Sequence, residues 1–182
     1  MEAFLRARNV AVPERELRWS GAELFDLVRR EALHLEDELL AIPVAHERRA
    51  MAQATLIPFA REAVSAMKQL GFATAIWTNN DRVVADFVLE RFALGAHLDL
   101  VVTRDEMTAL KPHPDGLRVV RERWPAADRI VMVGDSWVDG AAAQAGGIPF
   151  IRYRGHSEEF ARRDIAIAAH IASLLDLPAA LA

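Results

Sequence analysis

Residues 130–147 read IVMVGDSWVDGAAAQAGG, and the order of residue types in that stretch decides the fold class. The aliphatic run 130–133 is short and lacks apolar–polar alternation, which predicts a strand covered on both faces. Gly134-Asp135-Ser136 then releases the chain, and the small-residue segment 138–145 predicts a helix closing at Gly146-Gly147. Asp135 stands where the strand ends and Asp139 in the first turn of the helix. Two carboxylates four residues apart across such a turn can converge on one point, a hard-oxygen arrangement suited to Mg²⁺. The same residues also suit a purely structural reading, with Asp135 or Ser136 as N-cap and Asp139 as an acid at the positive end of a helix.

Working outward, the runs 73–77, 98–102 and 149–153 are three further short apolar strands. The segments 82–92 and 114–124 between them are helical, and a helix over 58–70 begins at Pro58 and closes at Gly71. Nearly continuous apolar strands separated by amphipathic helices predict an α/β architecture: a parallel sheet with helices on both faces. In such a sheet ligands bind beyond the carboxyl ends of the strands. Residues 1–55 carry helical spacing and no strand. Ser20-Gly-Ala-Glu23 has the form of a capping box, followed by the apolar face Leu24, Phe25, Leu27 and Val28. The pattern runs through Leu33, Leu35, Leu39 and Leu40 to Ile42-Pro43, where the helix is expected to stop. The expected organisation is a helical region 1–55 followed by an α/β core 56–182.

Two other strand ends carry polar clusters. Thr78-Asn79-Asn80-Asp81 suits either a helix N-cap or a phosphate site built from a hydroxyl and backbone N–H groups. Leu110-Lys111-Pro112-His113-Pro114 is a stiff loop ahead of a helix. Of the 22 basic residues only Lys68 and Lys111 are lysine. A lysine here, in a chain that otherwise uses arginine, points to a compact ammonium placed to stabilise negative charge. His113 is read as an exposed loop residue or a substrate contact.

The composition narrows the class. The chain has 182 residues, 52% hydrophobic and 26% charged, with no cysteine and a net charge of −4. Disulfides, thiolate metal sites and a cysteine nucleophile are excluded, and no bulk attraction to nucleic acid or anionic lipid is expected. The longest stretches free of Asp, Glu, Lys and Arg span 12 residues, 69–80 and 140–151, short of the ~18 of a membrane span. The N-terminus lacks the apolar centre of a signal peptide. A cytoplasmic protein with no membrane or nucleic-acid partner is expected.

Together the three strand-end segments resemble the haloacid dehalogenase superfamily, its phosphatase branch in particular. IWTNN (76–80) is similar to the second motif of that family, LKPHPDG (110–116) to the third, and VGDSWVDGAAAQAGG (133–147) to the fourth. The resemblance implies a Rossmann-like core with a small helical cap in residues 1–55, and a small phosphorylated metabolite as substrate. It gives Thr78 and Lys111 the catalytic roles, with Thr78 on the phosphoryl group and Lys111 stabilising charge. Asn79 joins them in substrate binding, and Asp135 and Asp139 become the Mg²⁺ ligands. The first motif of the family, Asp-x-Asp-x-Thr on the central strand, has no counterpart here. The nearest string, Leu24–Arg29, lies within a helical pattern. Weak Mg²⁺ binding and an inactive or truncated phosphatase are therefore expected, with a non-catalytic phospho-ligand or protein-interaction module as the alternative. Without a central strand, the strands 73–77 and 130–133 are expected to close up, to admit another strand, or to pair with a partner, including a second copy through the exposed sheet edge.

Overall fold

The structure is a computed structural model that describes residues 1–155 and 157–181. The chain divides into two compact units, Met1–Gln53 and Ala54–Ala182.

The first unit is helical, with α1 (Glu2–Ala7), α2 (Gly21–Glu31) and α3 (Glu36–Met51). The capping box at α2 is present: Glu23 N–H donates to Ser20 Oγ at 3.1 Å, and Ser20 N–H donates to Glu23 Oε2 at 2.7 Å. Arg15 holds the same carboxylate with two N–H groups at 2.8 and 2.9 Å. Leu24, Phe25, Leu27 and Val28 form its buried face. One expectation fails in this unit. Helix α3 does not stop at Ile42-Pro43 but carries Pro43 inside it. The ring removes one N–H from the ladder, a local cost of about 3 kcal/mol. Around it the strong helix formers Ala41, Ala45 and Glu47 continue the helix, and acids in its first turn and arginines in its last complement the dipole.

The second unit is the expected α/β core, with parallel strands flanked by helices. Helix α4 (Ala60–Gln69) leads to β1 (Ala75–Trp77), then α5 (Arg82–Arg91), β2 (Leu100–Val102), α6 (Asp115–Arg123), β3 (Met132–Gly134), α7 (Trp137–Ala145) and β4 (Phe150–Tyr153). Each strand lies within two residues of the run that predicts it at either end, and all four are shorter. The chain continues through α8 (Ser157–Ala161), β5 (Ala169–Ile171) and α9 (Leu177–Leu181), which the sequence did not announce. At three to five residues they are too short to display a period, and β5 places a histidine at its centre.

The strands form two parallel sheets, β1 with β2 and β3–β4–β5. Among the described residues none pairs β1 to β3, so these strands neither close into one sheet nor receive an intervening strand. They are nevertheless neighbours. On one face Phe72, just ahead of β1, packs in the same apolar cluster as Val131 and Val133, around Met67, Ile151 and Tyr153. On the other, Trp77 packs with Met132, Phe150 and Phe160. The Thr74 carbonyl and the Thr78 N–H turn toward β2, so by strand alternation those of Ala75 and Trp77 turn to the opposite side. Both strand ends thus reach one region from two separate sheets.

Candidate phosphoryl site at the strand ends

Strand β1 ends in a fixed turn. Thr78 N–H donates to the Val102 carbonyl at 2.9 Å, and Asn80 N–H donates to Thr78 Oγ1 at 3.1 Å. Asp81 caps α5, accepting from Val84 N–H at 2.8 Å. Capping of α5 therefore falls to Asp81, and the Thr78 hydroxyl hydrogen and the Asn79 N–H are left without partners among the described residues. The adjoining turn after β2 is fixed to this one, with Arg104 N–H on the Asn80 carbonyl at 3.0 Å. Behind it Arg82 donates to Glu106 at 2.6 Å and Thr103 donates to the same carboxylate at 2.7 Å. Partial burial works to raise the Glu106 carboxyl, but the hydrogen bonds from Arg82 and Thr103 outweigh it and hold the pKa below the ordinary value.

The Asn79 side chain clamps the backbone of Lys111. Its Nδ2 donates to the Lys111 carbonyl and its Oδ1 accepts from the Lys111 N–H, both at 2.9 Å. The loop held this way directs the lysine inward, where Nζ donates to the Trp77 carbonyl at 2.7 Å and to Asp139 Oδ1 at 2.6 Å. Lys111 and Asp139 are each only 8% exposed, so their pairing is a buried one. It joins the end of β1 to the helix that follows β3. Asp139 closes a capping box with Ser136, Oδ2 accepting from Ser136 N–H at 3.2 Å and from Ser136 Oγ at 2.9 Å. Glycine is required at 134 for this fold-back, because a Cβ there would stand 2.6 Å from Asp139 Cβ.

Asp135 differs from Asp139. It is exposed, and its carboxylate has no hydrogen bond or ion pair among the described residues. Its backbone carbonyl lies against Gly155, where φ is +72° and a Cβ would meet that oxygen at 2.4 Å. Trp137 packs on the Phe150 cluster with the Arg163 guanidinium 3.9 Å over its ring. His113 is exposed.

The structure thus links Asn79 and the end of β1 to Lys111, and Lys111 to Asp139; Thr78 adjoins the Trp77 carbonyl in the chain, and Asp135, exposed, adjoins Ser136, which donates to Asp139. Sequence reasoning missed the Trp77 carbonyl, a backbone group no residue type announces, and the use of the Asn79 side chain as a clamp. The Ser136-x-x-Asp139 spacing was a legible capping signal.

The magnesium ion implied by the resemblance does not fit these residues well. Both oxygens of Asp139 are engaged, one by an ammonium. Among the described residues no group of three or more His, Cys, Asp or Glu side chains converges to hold a metal. Mg²⁺ demands near-octahedral oxygen donors, and of the two candidate ligands only Asp135 has a carboxylate without a partner among the described residues.

Comparison with known proteins accords with the architecture. A phosphoglycolate phosphatase of Cupriavidus necator is 33% identical over 130 residues, 70% of this chain and 56% of that enzyme. A phosphoglycolate phosphatase of Escherichia coli is 31% identical over 97 residues, 53% of this chain and 38% of the enzyme. The chain thus spans roughly half the length of these curated relatives, or less. Among solved structures, a hydrolase from Pseudomonas syringae superposes with a TM-score of 0.73 at 21% identity, covering 97% of this chain and 86% of its own. A haloacid dehalogenase-like hydrolase from Bacteroides fragilis gives 0.70 at 20% identity, with coverages of 97% and 88%. The sequence profile of the haloacid dehalogenase-like hydrolases matches residues 5–147. The chain belongs to that family.

Proposed function

We propose that the chain is a phosphatase-type member of the family acting on a small phosphorylated metabolite of the phosphoglycolate kind, with residues 1–55 as the cap that selects the substrate. The observation that carries this reading is the buried Lys111 ammonium, fixed between Asp139 and the carbonyl of Trp77, the residue before Thr78. An ammonium needs no reorganisation when it is already held in place, and that is the condition for stabilising charge on a transferring phosphoryl group. Thr78 and the Asn79 N–H supply neutral donors to the same group. The phosphoglycolate phosphatase relatives support the substrate class.

A second reading rests on the sequence itself. No Asp-x-Asp pair occurs in the 182 residues, and none of the residues gathered at the strand ends is a nucleophile with an adjacent base. A module that binds a phosphorylated ligand without turning it over needs only Thr78, Asn79 and Lys111.

One assay separates the two readings. The 182-residue chain is incubated with p-nitrophenyl phosphate and with 2-phosphoglycolate, and phosphate release and 2-phosphoglycolate binding are both measured alongside Lys111→Met. Release that disappears in the variant supports the phosphatase. Binding of 2-phosphoglycolate without release supports the module, and neither binding nor release refutes both.

A further inference from the structure

The two carboxylates at the site stand in different states, and the difference bears on what balances the charge of a bound phosphate. Asp139 has the Lys111 ammonium on Oδ1 at 2.6 Å and Ser136 on Oδ2. A divalent ion would have to displace that ammonium or share an oxygen with it, against the repulsion of two cations at contact. Asp135 is exposed, and its carboxylate has no partner among the described residues. Lys111, in contrast, has three N–H donors, of which two are fixed on Trp77 and Asp139 and the third has no hydrogen-bond acceptor among the described residues, the ammonium lying 5.5 Å from the Trp77 ring centroid. The Thr78 hydroxyl and the Asn79 N–H, also without acceptors among the described residues, belong to the two residues that follow the Trp77 carbonyl on which this ammonium is held.

Resting on the phosphoryl-binding reading above, we infer that residues 1–182 bind phosphate without a divalent cation. The Lys111 ammonium supplies the positive charge, Asp139 orients that ammonium, and Asp135 acts as an opposing charge at the rim. This account reverses the sign of the role that a metal-ligand assignment gives to Asp135. As a ligand its removal weakens phosphate binding; as a bare carboxylate beside a dianion its removal strengthens it.

The test is calorimetric titration of inorganic phosphate into the 182-residue chain in EDTA and again in excess MgCl₂, for the native chain, Asp135→Asn and Lys111→Met. The expected result is a dissociation constant unchanged by Mg²⁺, tightened about three- to tenfold in Asp135→Asn, and weakened about tenfold or more in Lys111→Met. Tighter phosphate binding in Mg²⁺ that is lost in Asp135→Asn overturns the inference, as does weaker binding by Asp135→Asn in EDTA or no binding there by the native chain. Should Lys111→Met lose its near-ultraviolet circular dichroism, Asp135→Asn decides alone, because its exposed side chain has no partner to lose among the described residues. Turnover is not read in this experiment. Magnesium-independent phosphate binding combined with no phosphate release in the assay above counts against the phosphatase and leaves the inference standing, whereas magnesium-dependent binding counts against the inference only.

Discussion

Removing the charge from either end of the Lys111–Asp139 pair should destabilise the α/β core far more than a surface ion pair would. Their side chains are 10% and 11% exposed, so the screening that reduces exposed pairs to about 0–1 kcal/mol does not apply. Loss of one partner from a buried pair costs about 3–5 kcal/mol, because the remaining charge stays desolvated. For Lys111→Met the lower end is expected, about 3 kcal/mol, since Ser136 still donates twice to the abandoned carboxylate. Asp139→Asn keeps the shape but leaves the ammonium facing a neutral amide and the Trp77 carbonyl, again about 3 kcal/mol. The double variant leaves no unpaired charge, so its cost should not exceed that of either single, giving a coupling of about 3 kcal/mol. Urea unfolding followed by tryptophan fluorescence reads this directly. With a slope of about 2 kcal/mol/M each single variant moves the midpoint down by about 1.5 M. Single losses under about 1 kcal/mol that add to within about 0.5 kcal/mol would refute the pair as the tie between the end of β1 and the helix after β3.

Three further outcomes are expected. Gly155→Ala places a Cβ at positive φ and against the Asp135 carbonyl; it should lower stability by about 1–3 kcal/mol and shift the Asp135 amide resonance, whereas an unchanged melting temperature would contradict the close approach. Asn79→Ala removes both hydrogen bonds to the Lys111 backbone; the Lys111 amide should then exchange about tenfold faster or more, as hydrogen–deuterium exchange mass spectrometry can show. Asp99, held by the Thr74 N–H and then by Lys68, has its pKa lowered to about 2. Its contribution to stability is complete above the unfolded carboxylate pKa of about 4 and is lost as pH falls through the folded value. Asp99→Asn should therefore flatten the fall in urea midpoint between about pH 4 and pH 2, and an unaltered slope would exclude it.

The parts of the molecule legible in the sequence were those written in side-chain type and spacing. Four strands and the helices between them follow from apolar runs broken by polar strand ends, and the convergence of Thr78, Lys111 and Asp139 follows from parallel strands delivering their carboxyl ends to one side. What escaped depends on groups or balances the sequence does not display. The Trp77 carbonyl is common to every residue type. Strand β5 is three residues long, and Ala169-His170-Ile171 gains its place only by pairing with β4. Pro43 has the local signature of a helix end, yet its neighbours outvote it. The engagement of Asp139 with Lys111 and Ser136 could be foreseen in part from the capping spacing, but its ammonium partner comes from a loop 28 residues upstream.

The scarcity of lysine turns β1 into a strand with a natural chemical reporter at each end. Lys68 is paired with Asp99 near the entry to the strand and is partly open to solvent, while Lys111 closes on the Trp77 carbonyl at its exit and is buried. Apart from the terminal amine these are the two primary amines of the chain. An acylating reagent followed by peptide mass mapping would label Lys68 readily and Lys111 only in those moments when the strand end releases it. Native protein, with no added probe, thus supplies its own clock for the opening of the site.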